Sequence, residues 1–258
     1  MAESIVGSMS LKSQYDQDGF VIVRELFTPS EMKTLSDDAD RILRECSDLI
    51  SPRNLRCRYM PHHLTDEPLF EVFDPVNDLS SICEAMSTDV RIRSILELLY
   101  GEPACLFKDK LIFKPAGAMG YRLHQDIPLG WKGFPKTFVT VLIPIDPLSP
   151  ENGCTEVYSG YHSHHLSDNP AEYMLPDQAV DPARRVELIL APGDIAIFHG
   201  LTPHRSEPNR THGMRRTLYV SYNAISDGGD QRAGHYVEFQ DMLRKRLLAQ
   251  SNEPVFFR

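Results

Sequence analysis

His124, Asp126 and His204 are the residues of this sequence whose types and spacing can do chemistry together. The first two stand in Leu123-His124-Gln125-Asp126, so on an extended strand both side chains leave the same face and can grip one ion, which a helix would not allow. Two imidazoles and one carboxylate on one face of an octahedron leave the opposite face open. That donor set suits a non-haem ferrous ion with room for oxygen and a co-substrate. A lone His-x-Asp pair is a weak signal, because solvated strand and turn residues produce it by chance. Its weight comes from what stands downstream.

The run Pro192-Gly193-Asp194-Ile195-Ala196-Ile197-Phe198-His199 reads as a turn opening an apolar strand, and the bend after it carries His204. His199 offers the same ligand chemistry on the same loop, so residue type alone does not choose between the two. Arg215 and Thr217 follow in Arg215-Arg216-Thr217-Leu218-Tyr219-Val220-Ser221-Tyr222, a run of strand formers on which they share a face. A guanidinium fork with a hydroxyl beside it is a receptor for a carboxylate. Arg216 points to the other face and reads as a surface charge.

Four segments together resemble the phytanoyl-CoA dioxygenase family of Fe(II)/2-oxoglutarate oxygenases: Tyr15-Asp16-Gln17-Asp18-Gly19-Phe20-Val21-Ile22-Val23, Leu123-His124-Gln125-Asp126, Glu151-Asn152-Gly153-Cys154, and the stretch from Gly193-Asp194 through His204-Arg205-Ser206-Glu207-Pro208-Asn209 to Arg215. The resemblance implies that His124, Asp126 and His204, rather than His199, bind Fe(II). It also implies that Arg215, helped by Thr217 or Ser206, pairs with the C5 carboxylate of 2-oxoglutarate. O2 is then the second co-substrate, and the products are succinate, CO2 and a hydroxylated C–H. Related halogenases carry a small residue at the carboxylate position, so Asp126 implies hydroxylation.

The elements that must position these residues can be read from periodicity and caps. Residues 1–10 are expected to be a flexible leader, followed by a short helix over 11–18 and a strand over 20–23. Thr28-Pro29-Ser30-Glu31 is a capping box with proline in the first turn, which predicts a helix over 29–46. Residues 50–80 are proline-rich and predict one strand near 56–59. Helices are expected over 80–86 and 89–100, the latter ended by Gly101. Strands over 106–114, 137–143, 186–190, 194–198 and 216–222 then suggest a mainly β fold with flanking helices, a double-stranded β-helix of the jelly-roll, cupin-like kind. A helix over 236–248 closes the chain. We read one oxygenase domain over 11–258: a helical part over 11–101, a β-helix core over 102–225 and that last helix.

In Phe107-Lys108-Asp109-Lys110-Leu111-Ile112-Phe113-Lys114, alternation places Lys108, Lys110, Ile112 and Lys114 on one face. That basic face is either solvated or turned to the barrel mouth, where Lys108 or Lys110 would receive an anionic substrate group. Arg58 stands about where the family brings a basic residue toward the co-substrate, and Tyr121 and Gln125 flank the ligands as candidate substrate contacts. The expected substrate is a small anionic or zwitterionic metabolite, a phosphonate among them. An acyl-CoA thioester or a natural product is the alternative, and a non-catalytic metal- or 2-oxoglutarate-sensing module the alternative of another class.

Composition narrows the rest. The chain has 258 residues, 41% of them hydrophobic, enough for a sizeable core, and a formal net charge of −9, which argues against nucleic acid as a partner. Its five cysteines are odd in number and lack CxxC spacing, which suggests neither a disulfide framework nor a zinc ribbon. With no secretory h-region and no long apolar run, a cytoplasmic location away from membranes is expected. Nothing in the sequence fixes the oligomeric state.

Overall fold

The computed structural model describes residues 2–127, 135–169, 174–251 and 253–258, with the backbone alone for residues 2–9. Helix α1 (Ala2–Asp18) leads into strand β1 (Phe20–Val23), and α2 (Pro29–Glu45) into β2 (Cys57–Pro61) and β3 (Pro68–Phe73). Helices α3 (Ser81–Ser87) and α4 (Val90–Tyr100) precede β4 (Ala104–Lys114), β5 (Val139–Pro144) and β6 (Thr155–Tyr158). Strands β7 (Arg185–Glu187), β8 (Ile195–His199), β9 (His204–Ser206) and β10 (Arg215–Ala224) come next, and α5 (Arg232–Gln250) follows. The first helix therefore begins at Ala2 where the sequence predicts a helix only from Leu11.

Local signals set the helix ends. The Thr28 side chain accepts from the Glu31 amide while the Glu31 carboxylate accepts from the Thr28 amide, a reciprocal cap on α2. Ser80 and Asp89 cap α3 and α4, and Gly101 stops α4 in the left-handed conformation.

Seven strands form one sheet in the order β1-β8-β5-β10-β4-β3-β2, and β7-β6-β9 form a second. The large sheet is apolar on both faces because each face meets a different core. Val141, Ile143, Ile197, Leu218, Val220, Leu111 and Phe113 pack outward against Met32, Leu35, Ala39 and Ile42 of α2 and Ile92 and Leu96 of α4. Ile112, Leu142, Ala196, Phe198 and Tyr219 point inward and meet Val157 of the small sheet. Two sheets closed over an inner core, with helices on the outer face, make the expected double-stranded β-helix.

Two departures matter for the site. The segment around His124 is not a continuous strand. Among its described residues His124 alone forms β-bridges, to His204 on one side and Met174 on the other, which extends the small sheet irregularly. Where Ser221 and Tyr222 of β10 pair with Lys108 and Leu106 of β4 the register slips, so Phe107 between them leaves the Leu111–Phe113 face and joins Ile127, Phe138 and Leu201 instead. From Lys108 onward the alternation holds, and the lysine face turns into the roll.

Among the described residues, no helix is long and apolar enough to cross a membrane.

Candidate active site

His124, Asp126 and His204 converge inside the roll, with one ligand atom from each lying within 4.8 Å of the others. The His124 Nε2 lies 3.7 Å from one Asp126 carboxylate oxygen, and the His204 Nε2 lies 3.7 Å from the other. Each Nδ1 donates to a backbone carbonyl, His124 to Arg122 at 2.7 Å and His204 to Thr202 at 3.0 Å. Those bonds fix the tautomer that presents Nε2 to an ion. Burial and the neighbouring His204 push His124 down to about 3, so it stays neutral as a ligand must. Burial raises the Asp126 carboxyl, but His204, His124, Lys110 and Lys108 outweigh it and hold the group below its ordinary value. A carboxylate oxygen between two imidazoles fits a divalent ion with open positions.

The same cavity, about 180 Å³, runs from this cluster to Arg215 and is walled by Lys110, Ile112, Tyr121, Thr155 and Tyr219. Arg215 is buried. Its Nη1 donates to the Thr217 hydroxyl at 2.9 Å and its Nη2 to the Gly153 carbonyl at 2.8 Å, while Nε has no partner among the described residues. A buried guanidinium held by neutral acceptors, with a donor to spare, is short of an anion. Beneath it Lys114 donates to the Ser206 hydroxyl at 3.0 Å and the Glu207 carbonyl at 2.5 Å. Burial and Arg215 push Lys114 down to about 7. Glu71 accepts from the Tyr121 hydroxyl at 2.6 Å, and burial raises its carboxyl. A carboxylate at one end and a chelating group at the metal end would complete this cavity.

The structure thus brings together His124, Asp126, His204, Ser206, Arg215, Tyr121 and Lys110. Thr217 stands behind Arg215 and holds it rather than lining the cavity. His199 lies elsewhere, beside Tyr15 and His162, with its Nδ1 accepting from the Leu201 amide. Three expected substrate contacts are committed to other work. Lys108 pairs with Asp74 at 3.3 Å, and Arg58 reaches the same carboxylate at 4.0 Å; Phe239 of α5 lies under both cations, at 4.7 and 4.9 Å. Gln125 is buried and cross-braces loops, donating to Leu201 and His164 carbonyls and accepting from the Leu166 amide. Arg216, expected as a surface charge, clasps Asp146 and Asp40 and so ties β10 to α2.

Sequence reasoning missed Glu71, Lys114, Thr155 and Tyr219. Glu71 sits on β3, inside the stretch read as irregular because of its prolines. The short apolar run Leu69-Phe70-Glu71-Val72-Phe73, interrupted by a single acid, is the signal that could have found it.

Comparisons with known proteins agree with this geometry. A family-wide sequence profile for phytanoyl-CoA dioxygenase (PhyH) matches residues 15–217. The chain is 34% identical over 163 residues to a methylphosphonate hydroxylase of Gimesia maris, covering 63% of this chain and 60% of that protein. It is 30% identical over 137 residues to a 2-aminoethylphosphonate dioxygenase of an uncultured bacterium, covering 53% of this chain and 52% of that one. The chain thus spans between half and three-fifths of these two relatives. Among solved structures it superposes on the epimerase SnoN in complex with Fe3+, alpha ketoglutarate and nogalamycin RO, with a TM-score of 0.71 at 21% identity over 86% of this chain and 85% of that one. EctD from S. alaskensis with 2-oxoglutarate and 5-hydroxyectoine gives 0.67 at 17% identity over 86% and 79%. These two likenesses speak to the fold. The profile match, which spans most of the chain and includes all three converging ligands and Arg215, places this protein in the phytanoyl-CoA dioxygenase family.

Proposed function

We propose that this protein is an Fe(II)/2-oxoglutarate-dependent dioxygenase that hydroxylates a C–H bond of a small anionic or zwitterionic organophosphonate. The observation that carries this reading is one cavity with a two-histidine, one-carboxylate cluster at one end and a buried, anion-seeking Arg215 at the other. His124, Asp126 and His204 would hold Fe(II), and Arg215, braced by Thr217, would hold the far carboxylate of 2-oxoglutarate. When bound, the iron and its co-substrate supply the oxidising chemistry: 2-oxoglutarate, O2 and a substrate C–H become succinate, CO2 and an alcohol.

The chain's own contribution is position and exclusion of water. Arg215 fixes one end of a flexible diacid, which removes orientational freedom before reaction. Ile112, Tyr121 and Tyr219 wall the cavity, and the low polarity there strengthens each charged contact. The cavity is smaller than the roughly 300–1,000 Å³ of sites for drug-sized ligands, which favours a small substrate over a long acyl thioester. The activities that name the two relatives, on methylphosphonate and 2-aminoethylphosphonate, favour the phosphonate.

The test is 2-oxoglutarate consumption by the Fe(II)-reconstituted protein in the presence of methylphosphonate, 2-aminoethylphosphonate, amino acids or acyl-CoA thioesters. Stimulation by a small phosphonate, with one succinate per hydroxylated product, is the expected result. Stimulation by long acyl thioesters alone would overturn the substrate class. Metal and 2-oxoglutarate binding without turnover on any of them would turn the reading into that of a sensing module.

A further inference from the structure

The inward face of β4 carries three lysines, and their charges are spent differently. Lys108 is tied to Asp74 against Phe239, and Lys114 lies behind the cavity lining against the Ser206 hydroxyl and the Glu207 carbonyl, where the Glu71 carboxylate attracts it. Lys110 lines the same cavity as His124 and Asp126, yet makes no hydrogen bond or ion pair among the described residues. Its ammonium rests 5.1 Å from the centre of the Tyr219 ring, on an only partly buried side chain. An aromatic face attracts a cation but leaves all three N–H donors available.

Register places Lys110 relative to the co-substrate anchor. Arg215 pairs with Lys114 and Tyr219 with Lys110, so Lys110 lies four residues, roughly 13 Å at about 3.3 Å per residue, along the sheet from Arg215. It belongs to the metal end of the cavity rather than the carboxylate end. Charge agrees. A ferrous ion, the Asp126 carboxylate, dianionic 2-oxoglutarate and Arg215 together sum to zero, and Glu71 offsets Lys114. Arg205, the other cation of the cavity lining, pairs with Glu156, which leaves Lys110 as the lining cation with no anion matched to it among the described residues.

We propose that Lys110 is a specificity-determining residue that receives the anionic head of the organophosphonate substrate beside the metal cluster. The assignment rests on the hydroxylase reading for its substrate class. Lys108 and Arg58, expected to share this role, both turn to Asp74 and lie against Phe239, outside the cavity lining, so Lys110 is the cation that distinguishes a charged substrate from a neutral one.

The experiment is calorimetric titration of methylphosphonate into anaerobic protein carrying Fe(II) and 2-oxoglutarate, for wild type, Lys110→Met, Lys110→Gln and Lys110→Arg, with steady-state KM values for both substrates. Loss of a charge-assisted hydrogen bond predicts at least a tenfold weaker methylphosphonate affinity and a matching rise in its KM for the Met and Gln variants. The KM for 2-oxoglutarate should change less than threefold, and Lys110→Arg should recover most of the affinity. The Gln variant carries the test if the Met variant does not fold. Unchanged methylphosphonate affinity in the neutral variants, or a rise in the 2-oxoglutarate KM as large as that for methylphosphonate, would overturn the assignment. Methylphosphonate that binds in a Lys110-dependent way without being oxidised would remove the hydroxylase reading alone. Oxidation with equal methylphosphonate KM in wild type and the neutral variants would remove the Lys110 assignment alone.

Discussion

His124 and His204 face each other across an antiparallel backbone pair, each amide donating to the other's carbonyl at 3.0 Å. Directly paired residues project side chains to the same face, and the two imidazole centroids accordingly lie 4.1 Å apart. Asp126 is fixed by the same join, because its amide donates to the Gly200 carbonyl at 2.8 Å. The cluster is therefore positioned by main-chain bonds to the 199–204 turn, not by side-chain packing alone. Ligands held in this way need little reorganisation to accept an ion.

Separating backbone order from ligand chemistry gives the first prediction. In His204→Ala the paired amides and carbonyls remain, so the metal-free protein should fold with a Tm within a few degrees of wild type. Affinity for Mn(II), followed by electron paramagnetic resonance, should fall about 100-fold or more with one of three donors gone. The Tm increase that saturating metal gives wild type by mass action should vanish. Equal metal-induced stabilisation in both proteins would remove His204 from the metal site.

Arg215 gives the second. Its fork reaches the Thr217 hydroxyl and the Gly153 carbonyl at once, a geometry that a lysine ammonium on a flexible stem does not reproduce. Arg215→Lys should therefore raise the 2-oxoglutarate KM at least tenfold despite keeping the charge, and Arg215→Ala about 100-fold. Thr217→Val, which removes only the brace, should raise it several-fold. Measured KM values in another order, with Thr217→Val worst, would make Thr217 the anchor.

The convergence of His124, Asp126 and His204, with Arg215 on the same cavity, was legible because their spacing carries chemistry that few other arrangements need. His-x-Asp, a later histidine after an apolar strand and an arginine on the next strand stay recognisable whatever lies between them. The basic face of β4 was legible as a face, since alternation is local, but its direction was not. Whether Lys108 meets solvent or Asp74 depends on α5, which packs from more than a hundred residues away. Glu71 was hidden for a related reason. Proline-flanked β3 owes its existence to pairing with β2 and β4 rather than to propensity.

Behind the large sheet, Glu31 accepts from the Thr28 amide at 2.8 Å and pairs with Arg91 of α4 at 2.6 Å. The Arg91 hydrogen bond, followed by those from Thr28, holds its carboxyl down at about 2, below its ordinary value of 4.5. A folded-state value below the unfolded one contributes stability that is present above about pH 4.5 and is lost as pH falls toward 2. Thermal unfolding of wild type and Glu31→Gln should therefore differ at neutral pH and converge across that window. A difference that is constant from pH 6 to pH 2 would assign the effect to packing. Because the pair is partly exposed, the gap should be small and shrink with salt.

Gly153 tests whether Arg215, the proposed co-substrate anchor, depends on backbone shape. Its φ of +68° is left-handed, and a Cβ there would come 2.1 Å from the Glu207 carbonyl oxygen, a backbone atom that cannot swing aside. Its own carbonyl is the acceptor shared by Arg215 and Lys114. Gly101, with φ of +75°, has nothing within 4 Å of such a Cβ and serves as the control for conformational cost alone. Gly101→Ala should lose about 1 kcal/mol of stability in denaturant unfolding and keep the wild-type 2-oxoglutarate KM. Gly153→Ala must also move the 151–154 turn away from Glu207. It should lose more than about 2 kcal/mol and raise the 2-oxoglutarate KM, because the displaced carbonyl no longer meets the guanidinium. If the two variants cost the same and both keep the wild-type KM, the turn yields without disturbing Arg215 and the carbonyl is not part of the anchor.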